Sequence, residues 1–180
     1  MRYILFIQGG GNDGYAIDKK LVSALQQELG NNFTVSYPEL RSDETVPDFG
    51  WPKQICNAID PMVYPFAVVA HSLGASMLLK YLSEDKINRK PSGIFLLATP
   101  FWKGPEDWKQ GLKLNDDFVE KLPKDVPYFF YHCKDDEEVP FEHFETYRQK
   151  MSDPIFREIQ SGGHMFKADL KVIAEDIKNL

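Results

Sequence analysis

Cysteine is scarce in this chain. Its 180 residues hold two, Cys56 and Cys133, far apart and in no C-x-x-C or Cys/His ligand spacing. Neither a disulfide framework nor a zinc site is indicated, and both thiols are expected to be reduced. Basic clusters are missing as well. Lys and Arg number 21 against 27 Asp and Glu, for a formal net charge of -6 and an isoelectric point near 5.2. With no Lys/Arg cluster interleaved with aromatics, nucleic acid is not an expected partner. The amino terminus lacks a long apolar run, because only Tyr3 to Ile7 separate Met1-Arg2 from Gln8 and three glycines. That is too short for the apolar core of a signal peptide or for a bilayer crossing, so a cytoplasmic protein with no membrane partner is expected. No zincin spacing or EF-hand loop occurs, and Gly9-Gly10-Gly11 lacks the Lys-Ser/Thr ending of a P-loop and the full dinucleotide fingerprint. No metal or organic cofactor is expected.

What the chain does have is apolar content of 43% over 180 residues, enough for one good core and too little for two ordinary domains. A single domain over residues 1–180 is the expectation. Apolar runs alternate with amphipathic segments from end to end, the pattern of a parallel sheet covered by helices on both faces. Tyr3–Ile7, Phe66–Ala70, Gly93–Ala98 and Tyr128–Tyr131 are continuously apolar, as strands buried on both faces must be, and should be central. Thr34–Tyr37 alternates and Ile155–Ile159 carries two charges, so both belong nearer an edge. Six strands result, an α/β class. Ile17, Leu21, Leu25 and Leu29, with Val22 alongside and Gly30 as terminator, predict a helix packed on the sheet. Met77, Leu78, Tyr81 and Leu82 predict a second core-facing stripe, and Leu170, Ile173, Ile177 and Leu180 a third. Pro38–Pro52 reads as a surface loop followed by a short helix.

Within that frame one stretch carries chemistry. The run Phe66-Ala67-Val68-Val69-Ala70-His71-Ser72-Leu73-Gly74-Ala75 sends a buried strand into a small-x-Ser-x-Gly turn and then a helix. Small neighbours are required where strand and helix meet that sharply with a serine hydroxyl exposed, the arrangement of a nucleophile elbow. Ala70, Gly74 and Ala75 meet the requirement, although Ala70 stands where the usual pattern has Gly. Downstream, Asp136 opens the run Asp-Glu-Glu-Val-Pro after an apolar segment, and His164 follows two glycines. Serine, acid, histidine is a chain order found in one hydrolase fold and not in chymotrypsin-like or subtilisin-like enzymes. Upstream, the first strand ends in Gln8-Gly9-Gly10-Gly11, where backbone can turn tightly and aim N–H groups at an oxyanion.

With these four elements in order, the chain resembles the α/β-hydrolases, and among them the small, nearly lidless serine hydrolases of the YdeN-like group. The resemblance spans almost the whole chain and rests on HSLG around Ser72, DEEVP from Asp136 and GGH ending at His164. Two departures are Gln8-Gly9, where the family often has His-Gly, and Ala70. It implies a three-layer fold of about six mostly parallel strands and a Ser72 acyl-enzyme. His164 would be the base and Asp136 its orienting acid, with backbone N–H groups of Leu73 and Gly10 binding the oxyanion. The expected substrate is a small-molecule carboxylic ester or related acyl compound.

Each position has a plainer reading beside the catalytic one. Ser72 also suits a helix N-cap, Asp136 a turn or cap, and Asp135 competes with Asp136 for the acid. Cys133 lies near the proposed site but has no partner motif for a cysteine nucleophile. His71, His132 and His143 suit structural or surface roles. The interval Thr99–Val126 is too long for a simple connection and reads as a small cap, whose Phe101, Trp102 and Trp108 either line the substrate pocket or close the top of the core. The rival to an esterase is a non-catalytic ligand- or protein-binding α/β-hydrolase-like protein. Oligomeric state is not encoded in these motifs.

Overall fold

A computed structural model describes all residues, 1–180. Six strands form one sheet in the order β2-β1-β3-β4-β5-β6, every neighbouring pair parallel. They are β1 (Arg2–Ile7), β2 (Phe33–Ser36), β3 (Phe66–His71), β4 (Ile94–Leu97), β5 (Tyr128–Cys133) and β6 (Ile155–Ile159). The four apolar runs are the four central strands and the two polar ones are the edges, so burial on both faces had selected the sequence as expected.

The intervening helices are α1 (Gly14–Leu29), α2 (Trp51–Ile59), α3 (Ser72–Glu84), α4 (Phe118–Lys121), α5 (Glu142–Lys150) and α6 (Lys171–Lys178). Period-two alternation along each strand divides the core into two layers. Leu5, Ile7, Val68, Leu96 and Phe130 face α2, α3, α4 and α5, whereas Ile4, Phe6, Val69, Phe95 and Phe129 face α1 and α6.

Two helix positions depart from the sequence reading. Ile17 is 49% exposed, and the buried line of α1 is Gly14, Asp18, Leu21, Leu25 and Leu29. A strict four-residue spacing advances about 400° per step on a helix of 3.6 residues per turn. The stripe therefore drifts off the face by its first member, and an aspartate takes the inward position. Leu180 ends the chain at the rim, half-exposed over Gly93, while Leu170, Ile173 and Ile177 are buried. The segment Thr99–Val126 is only partly a cap, because Leu112, Phe118, Leu122 and Val126 enter the core beside α3.

In a wholly parallel sheet all strand carboxyl ends lie on one side, and the loops following them share that side. Strand order, not strand direction, reverses between the adjacent β1 and β3, since β2 lies to one side of them and β4 to β6 to the other, which opens a crevice there. The loop Gly9–Gly11 and the β3–α3 turn border it.

Candidate active site

Ser72 occupies the turn from β3 into α3 with a left-handed φ of 51°. A non-glycine residue there is strained and is held by its surroundings. Here the surroundings are tight: a Cβ at Gly74 would collide with the Gln8 carbonyl oxygen and approach Ile7 Cγ2 within 2.8 Å. The helix start thus lies directly against the end of β1, which is why the second glycine of the elbow is needed. Leu73 sits at the second helical position, where a backbone N–H has no acceptor inside the helix. Across from it, the Gly10 N–H donates to no protein acceptor, and a Cβ at Gly10 would come within 2.7 Å of the Leu73 side chain. Two free backbone donors therefore flank Ser72.

The acidic run after β5 is dedicated to the loop that carries His164. Asp135 Oδ1 accepts from the N–H groups of Gly162 and Gly163 at 2.8 and 2.9 Å. Asp136 Oδ2 and Oδ1 lie 3.0 and 3.1 Å from His164 Nδ1. Glu137 Oε2 accepts from the His164 backbone N–H at 3.2 Å, and Glu138 Oε2 stands 3.7 Å from His164 Nε2. Of the two aspartates, Asp136 meets the imidazole and Asp135 shapes the loop. The fully buried Asp136 carboxylate also accepts from the N–H groups of Glu138 and Val139, both at 2.9 Å. Beyond His164 the chain runs left-handed through Phe166, Lys167 and Ala168.

Burial alone would push the His164 imidazolium down, but the hydrogen bond and charge of Asp136, with Glu138 and Asp18 farther off, hold its pKa above the ordinary value. Burial would likewise raise Asp136, yet its bonds to His164, Val139 and Glu138 keep it below the usual carboxylate range. Ser72 makes no hydrogen bond to His164; the nearest carboxylate to His164 Nε2 on the open side is that of Glu138, at 3.7 Å.

A second buried pair lies behind the first, and only one member has a sequence signal. His71 and Asp18 side chains are each 2% exposed, with Nδ1 2.9 Å from Asp18 Oδ2. Asp18 Oδ2 also accepts from the Gly9 N–H at 2.7 Å, and His71 Nε2 is 3.1 Å from the His164 carbonyl oxygen. A carbonyl only accepts, so Nε2 is the donor in that contact, while Nδ1 faces the Asp18 carboxylate. This pair joins the Gly9–Gly11 loop, the β3–α3 turn and the loop that carries His164. A three-residue step back from Leu21, in place of the four-residue one that leads to Ile17, is the signal that reaches Asp18.

The cleft above Ser72 has a volume of about 370 Å³ and is walled by Gly10, Phe49, Leu73, Trp102, Trp108 and Glu138 among others. Trp102 and Trp108 line it as the sequence suggested. Phe101 does not: its ring packs edge-on against Tyr147 at 5.2 Å, and its N–H donates to His143 Nδ1 at 3.0 Å. Phe49, from the irregular loop before α2, and Glu138 went unmarked in the sequence because loop placement sets their direction. His132 is buried, bonded to the Val139 carbonyl at 2.8 Å, and Cys133 is a buried thiol whose pKa is pushed up to about 12 by burial. No three His, Cys, Asp or Glu side chains are grouped as metal ligands would be. Two further hollows lie at the amino ends of the strands, and neither is lined by a histidine.

No helix is long and apolar enough to cross a membrane. Comparison with known structures gives the same architecture repeatedly. The ydeN gene product of B. subtilis superposes with a TM-score of 0.71 at 17% identity, covering 99% of this chain and 96% of that one. Est1E from Butyrivibrio proteoclasticus, determined with ferulic acid bound, gives 0.74 at 16% identity over 99% and 87%. The esterase EaEST from Exiguobacterium antarcticum gives 0.68 at 15% identity over 99% and 91%. No curated protein matches by sequence. A family model described as serine hydrolase matches residues 17–170, so this chain, with its six-stranded α/β-hydrolase fold, belongs to the serine hydrolase family.

Proposed function

We propose that the protein is a serine esterase that cleaves a small carboxylic ester, or a related acyl bond, through an acyl-enzyme on Ser72. The observations that carry this reading are the strained Ser72 turn with unpaired backbone donors at Gly10 and Leu73, and the His164–Asp136 pair, whose neighbour Glu138 walls the same cleft as Ser72. A serine hydroxyl is a weak nucleophile near neutral pH and needs a base within reach. His164 Nε2 takes the proton as Ser72 Oγ attacks the acyl carbon; the contact between them tightens when substrate is engaged. Asp136 fixes the Nδ1–H tautomer and stabilises the imidazolium. The tetrahedral oxyanion accepts from the N–H groups of Gly10 and Leu73, each worth about 3 kcal/mol of barrier in comparable sites. His164 then returns the proton to the leaving alcohol, and water attacks the acyl group by the reverse sequence. The esterase name of EaEST and the ferulic acid on Est1E support an ester over other acyl bonds. The modest cleft walled by Trp102 and Trp108 favours a small substrate.

Fluorophosphonate labelling mapped by peptide mass spectrometry tests the reading. An adduct on Ser72 that is absent from Ser72→Ala, with turnover of short-chain p-nitrophenyl esters, is expected. A folded protein that takes no adduct and turns over no ester would instead be a binding protein on a hydrolase scaffold.

A further inference from the structure

Glu138 is the only charged side chain among the residues that wall the cleft over Ser72. Its carboxylate lies 3.7 Å from His164 Nε2 while the side chain is 66% exposed, so it stands in the mouth of the cleft and stays open to a ligand. The neighbouring wall is aromatic. The Trp102 indole N–H donates to Ser76 Oγ at 2.9 Å, which fixes that ring, and Trp108 meets it nearly edge-on with centroids 5.6 Å apart at 74°. The two indoles form a corner. Trp108 is 55% exposed and already takes one cation, with Lys109 Nζ 5.2 Å from its ring centroid. That ammonium is neutralised by Glu106 at 2.8 Å, and Arg41 on the adjoining flank is held by Glu39 at 3.2 Å. Lys103 follows Trp102 but does not line the cleft.

A carboxylate attracts cations and repels anions, and an aromatic face turned to the same cleft acts in the same direction. Given the Ser72 acyl-transfer reading, on which this rests, we propose that the cleft selects acyl substrates by charge. It favours those bearing an ammonium group and disfavours those bearing a carboxylate, with Glu138 and the Trp102–Trp108 corner as the recognising elements. The net charge of -6 works in the same sense at longer range.

The test uses three p-nitrophenyl esters of similar acyl length: 4-(trimethylammonio)butyrate, its neutral isostere 5,5-dimethylhexanoate, and the glutarate monoester with its free carboxylate. Ratios of kcat/KM are taken within each protein, so a general change in rate cancels. In wild type the ammonium ester should exceed the carboxylate ester by about tenfold, shrinking as salt rises. Glu138→Gln should bring that ratio within about threefold, and Glu138→Lys should invert it. An unchanged ratio in Glu138→Gln overturns the proposal. The contrast is also read without turnover, by tryptophan fluorescence titration with benzyltrimethylammonium and with benzoate. Tighter binding of the cation, lost in Glu138→Gln, supports the inference; equal binding of both overturns it. Absence of a fluorophosphonate adduct would remove the esterase reading alone, leaving this binding result to stand or fall by itself.

Discussion

Charge, at the scale of single residues, decides what His164 can do. A base must be neutral to accept the Ser72 proton, and its pKa is held above the ordinary imidazole value despite burial, chiefly by Asp136. The neutral form is therefore lost at a higher pH than for a free imidazole. kcat/KM for a neutral ester should fall on acidification with a midpoint above about 6.5, and a profile flat from pH 5 to 8 would remove His164 from the base role. The neighbouring aspartates give a sharper contrast. Asp136→Asn leaves the wrong tautomer facing Ser72 and should lower kcat by about 10³–10⁴-fold. Asp135 only accepts two loop N–H groups, and Asp135→Asn retains an acceptor oxygen, so its loss should stay below about tenfold. Measured side by side, equal losses would mean that the loop, and not the acid, limits turnover.

Among elements, buried His–Asp pairs divide the work: Asp136 holds His164, the proposed base, and the His71–Asp18 pair ties three loops together. Asp18 on α1 holds the Gly9 N–H and His71, and His71 holds the His164 carbonyl. Asp18→Asn keeps the volume but removes the charge that His71 faces. Breaking a buried pair typically costs about 3–5 kcal/mol, so the melting temperature should drop. The distinguishing readout is Ser72 labelling in the folded variant, which should slow together with kcat while KM changes little. Lowered stability with unchanged labelling would make the pair a structural strut and nothing more. Elements of this kind mark where the sequence stops speaking. The strands were legible because their apolar runs must be buried on both faces, and the elbow because only small residues fit beside Ser72. The contact between Asp136 and His164 was anticipated by chain order together with the family resemblance, which favoured Asp136 over Asp135. Asp18 was hidden because a four-residue hydrophobic spacing pointed to Ile17, and Glu138 and Phe49 because loops aim side chains by tertiary contacts. Phe101 was misplaced for the same reason: nothing local distinguishes it from Trp102, yet one faces Tyr147 and the other the cleft.

For the molecule as a whole, the sheet is both scaffold and partition. Phe95 and Leu96 are consecutive on β4 but belong to opposite core layers, the first stacked on Phe129 at 4.7 Å in the layer shared with α1 and α6, the second in the layer shared with α2 and α3. The layers meet only through the strands, while the site draws on both: α1 supplies Asp18 from one side and α3 begins with Ser72 on the other. Such a site requires that the layers not come apart separately. Phe95→Ala should cost about 3–5 kcal/mol and Leu96→Ala about 2–5 kcal/mol, each shifting one common transition in denaturant while the slope of stability against denaturant stays constant. If Phe95→Ala instead uncoupled a first transition in which α1 and α6 detach with β3 to β5 intact, the Gly9–Gly11 loop would lose its Asp18 anchor in that step. Ser72 labelling would then vanish ahead of global unfolding, so following labelling and far-ultraviolet circular dichroism along the same titration separates one cooperative unit from two.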